Sequence, residues 1–189
     1  MIPFPDKKYQ VIYADPAWRY IDTSTNGAAE DHYPTMATKD ICALPIPAIS
    51  EDNAVLFLWA TYPLMPEALQ VISSWGFKYK TAAFVWIKKT DGGRYCQGTG
   101  FYSRANSEVC LLATKGNVLK IKDHNVNQIV ETTRSIHSRK PNEVRERIER
   151  LFGNTSRIEL FARQRIEGWD CWGDQIPDSK QAKLYPGII

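Results

Sequence analysis

Five short runs set the main constraint on folding: "YQVIYA" (9–14), "AVLFLW" (54–59), "AAFVWI" (82–87), "EVCLLA" (108–113) and "RIELFA" (157–162). Each is rich in β-branched or aromatic residues and too short to stand as a helix. Their apolar residues are consecutive rather than alternating. Both faces of such strands must be covered, as in a parallel or mixed sheet between layers of helices. "QIVE" (128–131) adds a further short strand.

Helical patterns lie between these runs. Residues 64–75 carry Ala68, Leu69, Ile72 and Trp75 on one stripe, with Thr61 as a cap and Gly76 as a stop. Residues 141–152, "PNEVRERIERLF", place Val144, Ile148, Leu151 and Phe152 at helical spacing, between Pro141 and Gly153. Glu143–Arg147 and Glu146–Arg150 are spaced as supporting ion pairs on a largely solvated face. A short helix is expected near 38–44. Strands alternating with helices predict an α/β layered fold. One domain is expected over residues 1–176, with a loosely ordered tail at 177–189. The stretches 19–37 and 88–107 read as long loops, the kind that carry function or move.

A chain of 189 residues can cover one substantial core. Its net charge of +3 is compatible with a polyanionic partner without demanding one. Cys42, Cys96, Cys110 and Cys171 have no metal-ligand spacing, so no metal is expected, and free thiols fit a reducing cytoplasm. The N-terminal residues do not read as a signal peptide, and no apolar stretch is long enough to span a membrane.

The first strand run leads into "DPAW" (15–18). In an open α/β sheet, ligands bind beyond the carboxyl ends of the strands, which is where Asp15 falls. Pro16 restricts its own φ and biases Asp15 toward extended backbone. The result is a carboxylate acceptor, a carbonyl acceptor held in a set direction and the flat face of Trp18. An aromatic amino group, such as that on C6 of adenine, needs such a set. Its lone pair is delocalised into the ring. Two acceptors for its two N–H bonds favour a pyramidal nitrogen and free the lone pair, while an aromatic face holds the base by stacking. A base taken from a duplex must first be extruded. What remains is alignment with an activated methyl group.

"DPAW" resembles the Asp-Pro-Pro-Trp motif of adenine N6-methyltransferases. With "HYPTMATKDICALPI", "LFLWAT", "SEVCLLATKGN", "HSRKPNEVRERIERL" and "SRIELFARQRIEGWDCWGDQ" in that order, the chain is similar to one branch of them from about residue 8 to 176. That branch is the family of the mRNA adenosine methyltransferase catalytic subunit and its bacterial and phage relatives. The resemblance implies a Rossmann-like methyltransferase fold that uses S-adenosylmethionine. It implies that Asp15 and the Pro16 carbonyl bind the target amine, beside Ala17, with Trp18 bordering the base and Asp15 also meeting the cofactor's ammonium. Tyr20, Tyr33 and Glu108 would lie on the substrate side. Lys140, Leu160, Phe161, Arg163, Asp174 and Gln175 would hold the cofactor, with Arg165 carried over more loosely. Arg94 and Arg104, in a Gly-rich basic stretch with Tyr95, Phe101 and Tyr102, suit phosphate contact with some base stacking.

Two departures from the family pattern stand out. Ala17 replaces the second motif proline, and only eight residues precede the first strand, with Asp6 the one substitute for an acidic group that meets the cofactor's adenine in larger relatives. The expected substrate is adenine in DNA, with RNA the alternative, acted on by a monomer or homodimer. A catalytically silent nucleic-acid-binding subunit on the same fold is the rival from another class, although Asp15 and Pro16, which such a subunit would be expected to lose, are present. A dinucleotide-binding enzyme fits poorly, because no Gly-x-Gly-x-x-Gly follows a strand.

Overall fold

The computed structural model describes residues 3–19, 35–133 and 139–176. Its centre is one seven-stranded mixed sheet. The strands are β1 (Tyr9–Ala14), β2 (Ser50–Ala60), β3 (Lys78–Lys89), β4 (Ser107–Lys115), β5 (Ile129–Thr133), β6 (Arg157–Leu160) and β7 (Asp170–Trp172). The helices are α1 (Thr38–Cys42), α2 (Ile46–Ile49), α3 (Met65–Ser74) and α4 (Asn142–Phe152), and a single 3₁₀ turn at Tyr62–Leu64 leads into α3. Strand order is β5-β3-β4-β2-β1-β6-β7. Only β4 runs antiparallel to its neighbours. The remaining pairs are parallel. Among the described residues no helix is long and apolar enough to cross a membrane.

Both faces of the sheet are covered, as the consecutive apolar runs require. Ile12, Ala14, Leu56, Leu58, Leu111 and Leu160 pack with Ile41, Ile46, Ala68, Val71, Ile72 and Trp75 of the helical segments α1 to α3. Val11, Tyr13, Phe57, Trp59, Phe84, Trp86 and Cys110 pack on the other face against Val144, Ile148 and Phe152 of α4. Burying so many tryptophans requires partners for their N–H groups. Trp59 donates to the Tyr13 hydroxyl at 2.7 Å, Trp75 to the Ile41 carbonyl at 2.8 Å and Trp86 to Thr132 Oγ1 at 2.8 Å.

All six expected strands are present. Four expectations need correction. Leu69 is 38% exposed, and Val71 takes its place on the buried stripe of α3. Thr61 precedes the 3₁₀ turn but makes no side-chain cap bond. Arg150 pairs with Asp123 at 2.6 Å rather than with Glu146, whereas Glu143–Arg147 forms as expected at 2.6 Å. The stretch 88–107 is not an open loop. β3 continues to Lys89, and bridges at Lys89–Tyr95 and Gly98–Ala105 close two successive turns. Helix α4 ends as read, at Gly153 with φ +66°. The tail at 177–189 lies outside the described residues.

The topology fixes where a ligand can sit. β1 is flanked by β2, reached through α1 and α2 on one face, and by β6, reached through α4 on the other. The chain leaves β1 toward α1 on the first face and leaves β6 by a connection whose Ile166 and Trp169 pack on the α4 face, which opens a crevice at the two carboxyl ends. Because β4 runs backwards, its first residues arrive at this same edge, with Glu108 in register with Trp86 and Val109 with Ala60.

Candidate active site

Asp15 follows the last residue of β1. Both its carboxylate oxygens accept from Lys140 Nζ, at 2.7 and 2.8 Å. The same ammonium lies 3.3 Å from Glu108, which also pairs with Lys88. The four side chains form an alternating row: Asp15, Lys140, Glu108, Lys88. Indole faces line it, with Lys140 Nζ 5.5 Å from the Trp59 ring centre and Lys88 Nζ 5.0 Å from that of Trp86. Burial pushes the Asp15 carboxyl above the ordinary carboxylate range, and the Lys140 ammonium offsets this only in part. Burial also opposes the Lys140 charge, but Asp15 and Glu108 together outweigh it and hold the ammonium above its usual value. Burial works against Glu108 as well, yet Lys140 and Lys88 prevail and lower it.

This predicts a pH effect with a definite sign. Catalysis that needs the Asp15 carboxylate is lost as pH falls through its raised pKa. Lys140→Gln removes the cation that holds this pKa down, so the acid limb of kcat/KM should move to higher pH. A limb that stays in place would mean that Asp15 is not the titrating group.

The turn after Asp15 is held by backbone and indole contacts. The Trp18 N–H donates to the Pro16 carbonyl at 2.9 Å, which commits one of that oxygen's two lone pairs. Trp18 itself is 7% exposed and donates Nε1–H to the Trp59 carbonyl at 3.1 Å. It is a packed wall of the turn rather than an open stacking platform. The Ala17 carbonyl accepts from Met36 N–H at 2.8 Å. A proline would keep that carbonyl, so Ala17→Pro should leave turnover within several-fold of the original. A large loss in a methyl-transfer assay would show that Ala17 has a role of its own.

Beside Asp15 a cleft of about 140 Å³ is lined by Arg139, Lys140, Arg145, Glu159, Phe161, Arg163 and Gln164. Phe161 has φ +60°, a strained conformation for a non-glycine residue, at the turn after β6. Its ring meets Trp172 edge-on at 5.5 Å, and Phe4 stacks on Trp172 at 4.4 Å. Arg139 donates to Gln164 Oε1 at 2.7 Å across the rim.

The expected residues divide as follows. Asp15, Glu108, Lys140, Phe161 and Arg163 come together at this edge. Leu160 does not line the cleft. It is fully buried in the core, because β6 alternation turns it to the face opposite Glu159. Arg165 is exposed and donates toward Cys171 Sγ at 3.9 Å. Asp174 and Gln175 are exposed in the turn after β7. Arg94 and Arg104 are exposed, one in each of the two turns between β3 and β4. Asp6 is exposed and is not part of the cleft lining. Tyr20 and Tyr33 lie outside the described residues.

Arg145 and Glu159 are the groups that the motif reading missed. Arg145 Nε donates to Glu159 Oε2 at 2.8 Å, and its guanidinium lies 5.8 Å from the Tyr13 ring centre. The Tyr13 hydroxyl receives Trp59, whose carbonyl receives Trp18. One buried polar chain therefore links the cleft to the turn that carries Asp15. The signal was present, because Arg145 stands three and seven residues before Ile148 and Phe152, inside the apolar stripe of α4.

Comparison with known proteins identifies the relatives of the chain. The chain is 38% identical to the type II methyltransferase M.MunI of a Mycoplasma sp, over 93% of this chain and 81% of that protein. It is 32% identical to a probable N(6)-adenosine-methyltransferase MT-A70-like protein of Oryza sativa subsp. japonica, and 30% identical to the N(6)-adenosine-methyltransferase catalytic subunit METTL3 of Homo sapiens. Each of these two matches covers 89% of this chain but only 23% and 28% of the larger proteins. The MT-A70 family profile matches residues 9–175, from the first residue of β1 to the turn after β7, and the chain belongs to the MT-A70 family.

Proposed function

We infer that the protein is an S-adenosylmethionine-dependent methyltransferase acting on the 6-amino group of adenine in DNA. The observation that carries this reading is the Asp15 carboxylate at the carboxyl end of β1, part-buried beside a cleft and ringed by Lys140, Arg163 and Glu108.

The residues present fit the cofactor. A carboxylate suits its ammonium, Lys140 and Arg163 suit its carboxylate, and the strained Phe161 turns beside the cleft that would take it. Asp174 and Gln175, past the end of β7, suit its ribose and adenine. When bound, S-adenosylmethionine supplies an electrophilic methyl group on a sulfonium sulfur.

On the substrate side, Asp15 and the free lone pair of the Pro16 carbonyl accept the two N–H bonds of the amine. That geometry favours a pyramidal nitrogen with its lone pair exposed. A carboxylate offers about four acceptor sites, so Asp15 can keep Lys140 while accepting from a base. Lys140 favours the ionised form of Asp15, and Glu108 favours the charged form of Lys140. The proton released from the amine goes to Asp15 or to water. The indole walls and the packed turn hold these dipoles in place, so little reorganisation is needed as charge develops. Arg94 and Arg104 suit phosphates of the polymer.

Greater similarity to a type II methyltransferase than to the adenosine methyltransferases supports DNA over RNA. Labelled methyl offered with DNA and RNA of the same sequence, followed by digestion to nucleosides, should label deoxyadenosine. Label confined to adenosine would move the assignment to RNA.

A further inference from the structure

The connection between β3 and β4 leaves the sheet at the same edge as Asp15 and makes two hydrogen-bonded reversals. Cys96 N–H donates to the Lys88 carbonyl at 2.8 Å, and Gly98 and Ala105 exchange bonds of 2.9 and 3.2 Å. The tip is closed so tightly that only glycine fits at two positions. A Cβ at Gly98 would stand 2.4 Å from the Ala105 carbonyl oxygen, and one at Gly100 would stand 1.9 Å from that of Ser103.

At this tip Phe101 and Tyr102 are 95% and 98% exposed. They meet only edge-on, with ring centres 4.9 Å apart and planes at 90°. Scattered exposed apolar residues are ordinary, but two adjacent aromatics on a closed turn form a site with no cover from the described chain. Two such rings offer at most about 300–500 Å². That is well short of the roughly 800 Å² per partner of a stable protein interface, so a second copy of the chain is a poor occupant. Flat faces with the exposed Arg104 two residues on suit bases with a phosphate alongside. The turn leads within five residues into β4, which starts at this edge two positions from β1, about 10 Å across the sheet, so a strand seated on the turn and running along the edge is directed toward Asp15.

We propose that Phe101 and Tyr102 stack on nucleobases flanking the target adenine and hold the strand unstacked while that adenine reaches Asp15. This rests on the methyltransferase reading above, and it assigns the unstacking step to a different element from the one that performs the chemistry.

The test uses the full chain and a fluorescent DNA oligonucleotide containing adenine, with binding measured across a salt titration. Phe101→Ala/Tyr102→Ala should weaken binding by about tenfold or more with the salt slope unchanged, because no charge is removed. Phe101→Trp/Tyr102→Trp should keep wild-type binding, and Phe101→Leu/Tyr102→Leu should not. Binding of the double alanine variant within twofold of wild type would overturn the proposal. So would full binding by the leucine variant, or a dimer in sedimentation that the alanine variant loses. Binding is read without methyl transfer, so these outcomes stand apart from whether adenine is labelled. A wild type that binds in this way but labels no adenine would count against the methyltransferase reading alone.

Discussion

Replacing Arg145 with methionine is expected to destabilise the fold by about 3–5 kcal/mol, the usual cost of stripping one partner from a buried ion pair. For a chain of this size that corresponds to a fall of roughly 6–20 °C in Tm. The reason is Glu159, which is buried and would keep its charge without its 2.8 Å partner. Burial already holds the Glu159 carboxyl above its ordinary value even though Arg145 pulls it down. Without Arg145 it rises further. The native state then binds this proton more tightly than the unfolded chain does. The deficit is therefore complete above the raised pKa and shrinks as pH falls toward the ordinary glutamate value. Chemical denaturation of the variant at pH 8 and pH 5 should show a larger loss at pH 8. Arg145→Met/Glu159→Leu should recover most of the stability, because neither charge is then stranded. Equal losses at both pH values, or no recovery in the double variant, would mean that the pair is not what holds α4 to β6.

Much of this arrangement was legible before any coordinates. The apolar runs name their strands because each is buried on both faces, and a doubly covered sheet places Asp15 at a ligand-binding edge. The Glu143–Arg147 pair and the Gly153 stop follow from local rules that tertiary packing leaves intact. Other features depend on chain reversal. Glu108 reaches Asp15 because β4 runs antiparallel, and a strand's direction leaves no mark on its composition. β7, only three residues long, was not anticipated, since Asp170–Trp172 is too short to show a period. Leu160 followed the family pattern into the cofactor list, yet strand alternation in "RIEL" turns Glu159, not Leu160, toward α4. Arg145 was not singled out, because most charges on such a helix lie on its solvated face. Its place among Ile148 and Phe152 was the contrary sign.

Asp15 carries the central claim. It is the carboxylate on which the cleft, the ammonium of Lys140 and the Pro16 turn converge. Asp15→Ala removes one of the two acceptors for the amine and the group that takes its proton, while Trp18 still anchors the turn on Trp59. Loss of a proton-transfer group alone commonly costs about 10²–10⁴-fold in rate. The direct measurement is incorporation of labelled methyl from S-adenosylmethionine into DNA by wild type and Asp15→Ala, with both proteins shown to be folded and the products digested to nucleosides. The account predicts labelled 6-methyladenine from wild type and a loss of at least about a hundredfold in the variant. Equal labelling of adenine by the two proteins would contradict it.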